Sequence, residues 1–304
     1  MYYSYYLKLL DYKRMPNFLE KYLNSPCLIR LKKVGYFCGM DYASKNVYDF
    51  KEEISRFDHS LSVALLIYKL TRNKKMTLAG LFHDVATPCF SHVIDYMNND
   101  YANQESTEEF TEEIIRNDKY VLKCLKKDKI KIDDIVDFKK YTIVDNKRPK
   151  LCADRMDGVI LTGSLWAKNI TIEDIKLIVK SLAIFQNEEK ELELGFKDRN
   201  IAEKVVKVSE EIDVISHSNE DNYMMQLLAD MTKYAIDNGH LIYKDLFYYN
   251  EEQVFNIFDE IDDKKFKEDL YKFRNIRLED IPNIELPFIK KRDLNPLIMG
   301  KRAK

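Results

Sequence analysis

Apolar residues recur at three- and four-residue steps over most of the chain, which is the signature of helices with one buried face. Between Ser60 and Leu70 the spacing places Leu61, Ala64, Leu65 and Tyr68 on one side. Met76 to Phe82 predicts a second short helix, capped by Thr77. Ser106-Thr107-Glu108-Glu109 has the form of a capping box, and Phe110, Ile114 and Ile115 follow it on one face. Thr171-Ile172-Glu173-Asp174 predicts another helix start, leading into Ile175 to Phe185. Ile201 to Ile215, Tyr223 to Ile236 and Gln253 to Phe273 repeat the same periodicity. Three stretches break it. Lys126 to Lys150 is rich in Lys and Asp and reads as a surface connection with one short helix. Glu188 to Asn200 reads as a strand pair or a loop, and Pro282 to Pro296 as irregular chain. The expected fold is all-α: a helical domain over residues 20–185, extended by C-terminal helices over residues 186–304 that pack on it.

Composition supports that reading. Of 304 residues only 8 are Gly and 7 are Pro, too few for the many tight turns of a multistranded protein. With 49 Lys+Arg against 51 Asp+Glu the net charge is −2, so no broad basic surface marks nucleic acid as the main partner. The longest apolar runs, such as Val63 to Tyr68, fall far short of the roughly 18–20 residues that cross a bilayer. Met1 to Tyr6 carries four tyrosines and no basic or apolar leader region, so a cytoplasmic location is expected. The tyrosines there, and the Tyr248-Tyr249 pair, read as packing residues. Five cysteines without a CxxC pair indicate neither a disulfide framework nor a thiolate zinc site. The basic end of the chain, Gly300 to Lys304, reads as a frayed tail.

Three of the five histidines, His59, His83 and His92, fall close together in the sequence, and His83 is followed by Asp84. Neighbours on a helix point about 100° apart, but near a helix end both can reach one ion. Mixed imidazole and carboxylate donors suit Mn, Fe, Co, Ni or Zn better than Ca or Mg. Spacing alone leaves two readings open, a metal pair or two hydrogen-bonded residues at a helix end.

Four segments in order bear on that choice. Ser25 to Val34 is similar to "TP-FQRLR-I", and Ser55-Arg56-Phe57-Asp58-His59-Ser60-Leu61 to "NRFEHSLG". His83 to His92 is similar to "HDIGHGPFSH", and Ala153-Asp154-Arg155-Met156-Asp157 to the start of "ADRMDYLLRD". Together they resemble the HD-domain metal-dependent phosphohydrolase superfamily, and within it the branch that contains dNTP triphosphohydrolases. The resemblance covers roughly residues 25–165. It implies that His59, His83, Asp84 and Asp154 hold one divalent transition metal, with Asp84 also counted as catalytic. It implies phosphate contacts from Arg56 and Arg155, with Thr87 lining the substrate side, and a helper role for His92. It implies a nucleotide or related phosphate ester as substrate and a homo-oligomeric assembly. Beside these stand plainer readings: Arg56 pairing with Asp58 or Glu53, and His92 as a packing residue next to Phe90 and Ile94. His217 and His240 match nothing in the pattern.

The chain departs from that pattern at the substrate end. Thr87 stands where the motif has its second histidine, and Gln104 where a further helper histidine is expected. Gly158 replaces a tyrosine, Leu161-Thr162 replaces an Arg-Asp pair, and Tyr36 falls near a sugar-reading glutamine. Proton transfer would then fall to Glu105, His92 or Asp157. The expected activity is phosphohydrolysis by metal-activated water. The alternative is a non-catalytic nucleotide- or metal-binding regulatory protein, and cyclic-nucleotide phosphodiesterase chemistry ranks below both.

Overall fold

The computed structural model describes residues 1–102, 106–285 and 288–302. Its centre is the helix Arg56–Thr71, on which every residue from His59 to Ile67 is buried. A helix that is apolar or small on all sides has no face to leave in water. The sequence fixes its start four residues before the periodic stretch. The Ser55 hydroxyl accepts the Asp58 amide at 3.2 Å, and the Asp58 carboxylate accepts the Ser55 amide at 2.8 Å. Arg72 in the left-handed region ends it.

Lys74–Phe82 packs against this helix. Its cap is Asn73, whose side chain accepts the Met76 amide at 3.1 Å; Thr77 instead donates its hydroxyl back to the Asn73 carbonyl. Gly80 sets the closeness of the pair, since a Cβ there would lie 2.3 Å from Ile67 Cδ1. The third helix of the centre is Ala153–Leu165, which crosses the first near its N-terminal end.

The all-α class holds, with a small sheet added. The helix predicted to run to Phe185 stops at Ser181. Strand β1, Leu182–Gln186, follows at once and pairs antiparallel with β2, Leu192–Phe196. Two short strands from the chain's end complete the sheet. β3, Leu297–Ile298, runs parallel to β2, and β4, Lys301–Arg302, turns back on β3. A Cβ at Gly195 would stand 2.5 Å from the Leu297 carbonyl, so this glycine admits the returning strand. The C-terminal segment is therefore not a frayed tail up to residue 302. Arg302 pairs with the fully buried Glu193 and with Glu188.

Other expectations shift in register. Ser106–Glu108 forms a single 3-10 turn, and the helix begins only at Thr111. The Gln253–Phe273 periodicity is two helices, Glu251–Glu260 and Lys264–Asn275, the second capped by Asp263. Residues 126–150 are more than a surface connection, because Ile130, Ile135, Phe138, Ile143 and Val144 are buried in the core. The long helix Arg199–Ser216 packs on Ala153–Leu165, and Asn219–Asp237 packs on Val93–Met97 and Lys264–Asn275.

Candidate metal centre

The three central helices bring their ends together. His59 sits in the first turn of Arg56–Thr71, His83 and Asp84 follow the last turn of Lys74–Phe82, and Asp154 opens Ala153–Leu165. Capping thus decides where these side chains point, and the packed helix bodies hold them there.

One donor atom from each of His59, His83 and Asp154 falls within 4.8 Å of the others. His59 Nε2 lies 3.0 Å from Asp154 Oδ1 and 3.7 Å from Asp84 Oδ2. His83 Nε2 lies 3.4 Å from Asp154 Oδ1 and 3.6 Å from Asp84 Oδ1. The His83 Nδ1 contacts the Gly80 carbonyl at 2.8 Å. A carbonyl only accepts, so Nδ1 carries a proton, and once Nε2 gives up its own the neutral ring can present a lone pair there. That nitrogen is buried and has no hydrogen-bond partner. An orphaned imidazole nitrogen between two carboxylates and a second imidazole suits a divalent cation, and the N,N,O,O donor set suits a transition metal.

The charges agree. Burial pulls the His59 pKa down, but the hydrogen bonds it donates to Asp154 and Asp157 outweigh it and raise the ring to about 10. His83 is raised to about 9, burial again being overcome by Asp84 and Asp154. Burial opposes ionisation of Asp84, yet the imidazoles and Arg56 hold it down at about 2. Asp154 is likewise lowered. Without a metal this cluster of carboxylates keeps protons on its histidines. A divalent ion can replace those protons.

Behind the donors lies a supporting layer. Asp157, fully buried, accepts from His59 Nδ1 at 2.8 Å. It is not among the residues lining the cavity, and from behind it holds the His59 ring in place. Arg56 is buried rather than on the surface, and it pairs with neither Asp58 nor Glu53. It donates to Asp84 Oδ2 at 3.1 Å, Ser91 Oγ at 3.0 Å and the Tyr36 carbonyl at 3.3 Å. Its guanidinium therefore aligns Asp84 from the cavity wall.

A cavity of about 870 Å³ opens over the centre. His59, His83, Asp84, Asp154, Arg56, Arg155, Thr87 and His92 all line it. Arg155 is braced by the loop it faces, donating to the Asn146 carbonyl at 2.7 Å and to the Lys150 carbonyl. Thr87 is buried, with its carbonyl accepting from Arg30 at 2.6 Å. His92 makes a 2.8 Å contact through Nδ1 with the buried Asp95, which leaves its Nε2 for the cavity. Gln104 and Glu105 lie outside the described residues. At Gly158 a Cβ would meet the Tyr36 hydroxyl at 3.3 Å, so Tyr36 occupies the space beside this glycine. The Tyr36 ring lies against His59 with centroids 5.3 Å apart.

Sequence reasoning missed part of the lining. Phe138, Lys139 and Arg148 come from the segment taken as a surface connection, and Lys290 and Arg292 carry no motif at all. The alternation of buried Ile130, Ile135 and Phe138 was the available signal for the first group; nothing local marks the second.

Comparison with known proteins agrees with this geometry. The family model described as HD domain matches residues 56–160, the span that holds all four donor residues. That segment is similar to the HD domain, whose superfamily consists in general of metal-dependent phosphohydrolases. A Bacillus subtilis (strain 168) protein named Uncharacterized protein YdhJ is 31% identical over 140 residues. The match takes in 46% of this chain and 41% of that relative, so the chain spans about two fifths of its length. No helix among the described residues is long and apolar enough to cross a membrane.

Proposed function

We propose that the protein is a metal-dependent phosphohydrolase acting on a nucleotide or related phosphate ester. The observation that carries this reading is the orphaned His83 Nε2, buried beside Asp84, Asp154 and His59. His59, His83, Asp84 and Asp154 would hold the ion. When bound, such an ion acidifies water and neutralises charge on a phosphoryl group. The chain's own residues prepare the site. Arg56 fixes the Asp84 carboxylate, Asp157 fixes the His59 ring, and Gly80 fixes the His83 tautomer. The His92–Asp95 pair is one described group able to hold or pass a proton in the cavity. Tyr36, Phe37, Tyr48, Phe50 and Trp166 also line the cavity, which favours a ligand with a planar ring over a bare phosphate.

The test is hydrolysis of a nucleotide panel by wild type and Asp84→Ala after loading with Mn²⁺ or Fe²⁺. Turnover by wild type with loss of both metal and activity in the variant is expected. Equal hydrolysis by the two proteins would sink the reading. One arrangement favours a second reading, a regulatory protein that binds without turnover: Thr87 replaces a histidine while Asp157 is sealed behind His59. Under that reading wild type holds metal and nucleotide but hydrolyses nothing in the panel.

A further inference from the structure

The wall of the cavity away from the three helix ends is made by two segments far apart in the chain. One is the loop at residues 145–150, and the other is the strap at residues 288–302 that ends in β3 and β4. They are tied together directly. The Asn295 amide donates to the Pro149 carbonyl at 2.9 Å, and Arg148 donates to the Asp293 carbonyl at 3.2 Å. The strap is also fixed from below. The Arg292 amide donates to Asp213 at 2.7 Å, and the Ser209 hydroxyl donates to the Arg292 carbonyl at 2.7 Å.

This construction brings Arg148, Arg155 and Arg292 onto one cavity. Their side-chain hydrogen bonds go to backbone carbonyls where they exist at all. Arg148 has the Asp293 carbonyl, and Arg155 has those of Asn146 and Lys150. Arg292 Nε is buried with no partner, as is Asn146 Nδ2 in the facing loop. Carboxylates also face the group, Asp145, Asp221 and the metal-site Asp154 among them. Asp145 stands 3.9 Å from Arg155, and Asp221 accepts the Tyr48 hydroxyl at 2.7 Å. Among the described residues, none of these three forms an ion pair with Arg148 or Arg292. Burial first, then the charges of Arg155 and Arg292, lower the Arg148 guanidinium to about 10. Three guanidiniums crowded against one another in a partly buried wall repel unless an anion joins them.

We infer that Arg148, Arg155 and Arg292 form an anion subsite, closed by the C-terminal strap, that takes a phosphate group distant from the one at the metal centre. Its ligand class is a compound with two or more linked phosphates. A guanidinium fork suits phosphate oxygens, and the unpartnered Arg292 Nε supplies a donor that no protein group uses. The inference deepens the phosphohydrolase reading and rests on it only for which end of the ligand reacts.

The test is calorimetric titration of the full chain with sodium tripolyphosphate and with orthophosphate. Wild type, Arg292→Gln, Arg148→Gln and Arg292→Lys are compared, with metal content measured in each. Tripolyphosphate affinity should fall about tenfold or more in both Gln variants, as expected for loss of a charge-assisted hydrogen bond. It should fall less in Arg292→Lys, and orthophosphate affinity should change less than tripolyphosphate affinity. Metal content should stay at the wild-type level, because no donor is altered. Any stripping of metal by the probe is common to all four proteins and cancels in the comparison. If Arg292→Gln fails to fold by circular dichroism, Arg148→Gln decides, since that side chain bonds only one carbonyl. Wild-type affinity in the folded Gln variants, or no tripolyphosphate binding by wild type, overturns the subsite. A wild type without metal that still discriminates tripolyphosphate would instead overturn the metal reading and leave the subsite standing.

Discussion

The floor and the far wall of the cavity are built in opposite ways. On the floor, His59, His83, Asp84 and Asp154 sit at the ends of three packed helices, and three of them have a neighbour that fixes them: Asp157 for His59, Gly80 for His83 and Arg56 for Asp84. On the wall, Arg148 and Arg292 come from irregular chain and are held by backbone contacts between segments some 140 residues apart. The floor is preorganised by helix capping and core packing, whereas the wall depends on the chain's end returning to the sheet. Chemistry that tolerates little misplacement belongs on the first kind of support, and recognition that needs charge more than geometry can use the second.

Several variants should break or sharpen that contrast. The largest effect is expected on the floor. His83→Ala removes the orphaned nitrogen and should lower metal affinity by more than about 100-fold, above the range for an outer partner, in a competition titration against a chelator. Next comes Asp157→Asn, which keeps the shape behind His59 but removes the charge. It should lower metal affinity by about 10- to 100-fold while leaving the fold intact by circular dichroism.

The pH response of the metal-free protein follows from the same charges. His59 and His83 titrate near 10 and 9 in the fold, against about 6.5 in an unfolded chain. Stability from holding those protons is complete below about 6.5 and is lost as pH rises through 9 to 10. Asp84, lowered to about 2, contributes stability above about 3.9 that disappears as pH falls toward 2. The melting temperature of the metal-free protein should therefore decline from neutral pH toward pH 10. Metal affinity should rise over that range, because binding must displace the same protons. A flat melting profile from pH 6.5 to 10 would contradict the assignment of paired, proton-holding imidazoles.

The smallest effect is expected at the sheet. Arg302→Gln leaves Glu193 buried without its cation and should cost about 1–3 kcal/mol in urea unfolding. It should loosen the strap while metal affinity stays within about twofold of wild type. A matching loss of metal affinity would show that floor and wall are not separable.

This contrast also explains what was legible in the sequence. The helical class, the central helix and the candidate donor residues rest on local pattern: three- and four-residue apolar spacing, and short motifs around His59, His83 and Asp154. Boundaries were read less well where capping chemistry decided them. Asn73 rather than Thr77 starts the second helix, and the helix after Thr171 gives way to β1 at Leu182. The roles of Arg56 and Asp157 were read as substrate contact and proton transfer. In the fold Arg56 holds Asp84 from the cavity wall and Asp157 holds His59 from behind, contacts to residues 28 and 98 positions away that no local pattern shows. Arg292 gave no signal, since its place in the cavity depends on β3 pairing with β2 across about a hundred residues.

The central claim is that His59, His83, Asp84 and Asp154 together hold one divalent ion, and elemental analysis tests it most directly. Purified wild type and His83→Ala would be loaded side by side with Mn²⁺, Fe²⁺ or Zn²⁺, then freed of unbound metal by gel filtration. The account predicts close to one ion per chain in wild type and almost none in the folded variant. Equal metal content in the two proteins, or none retained by wild type under any of the three ions, would contradict it.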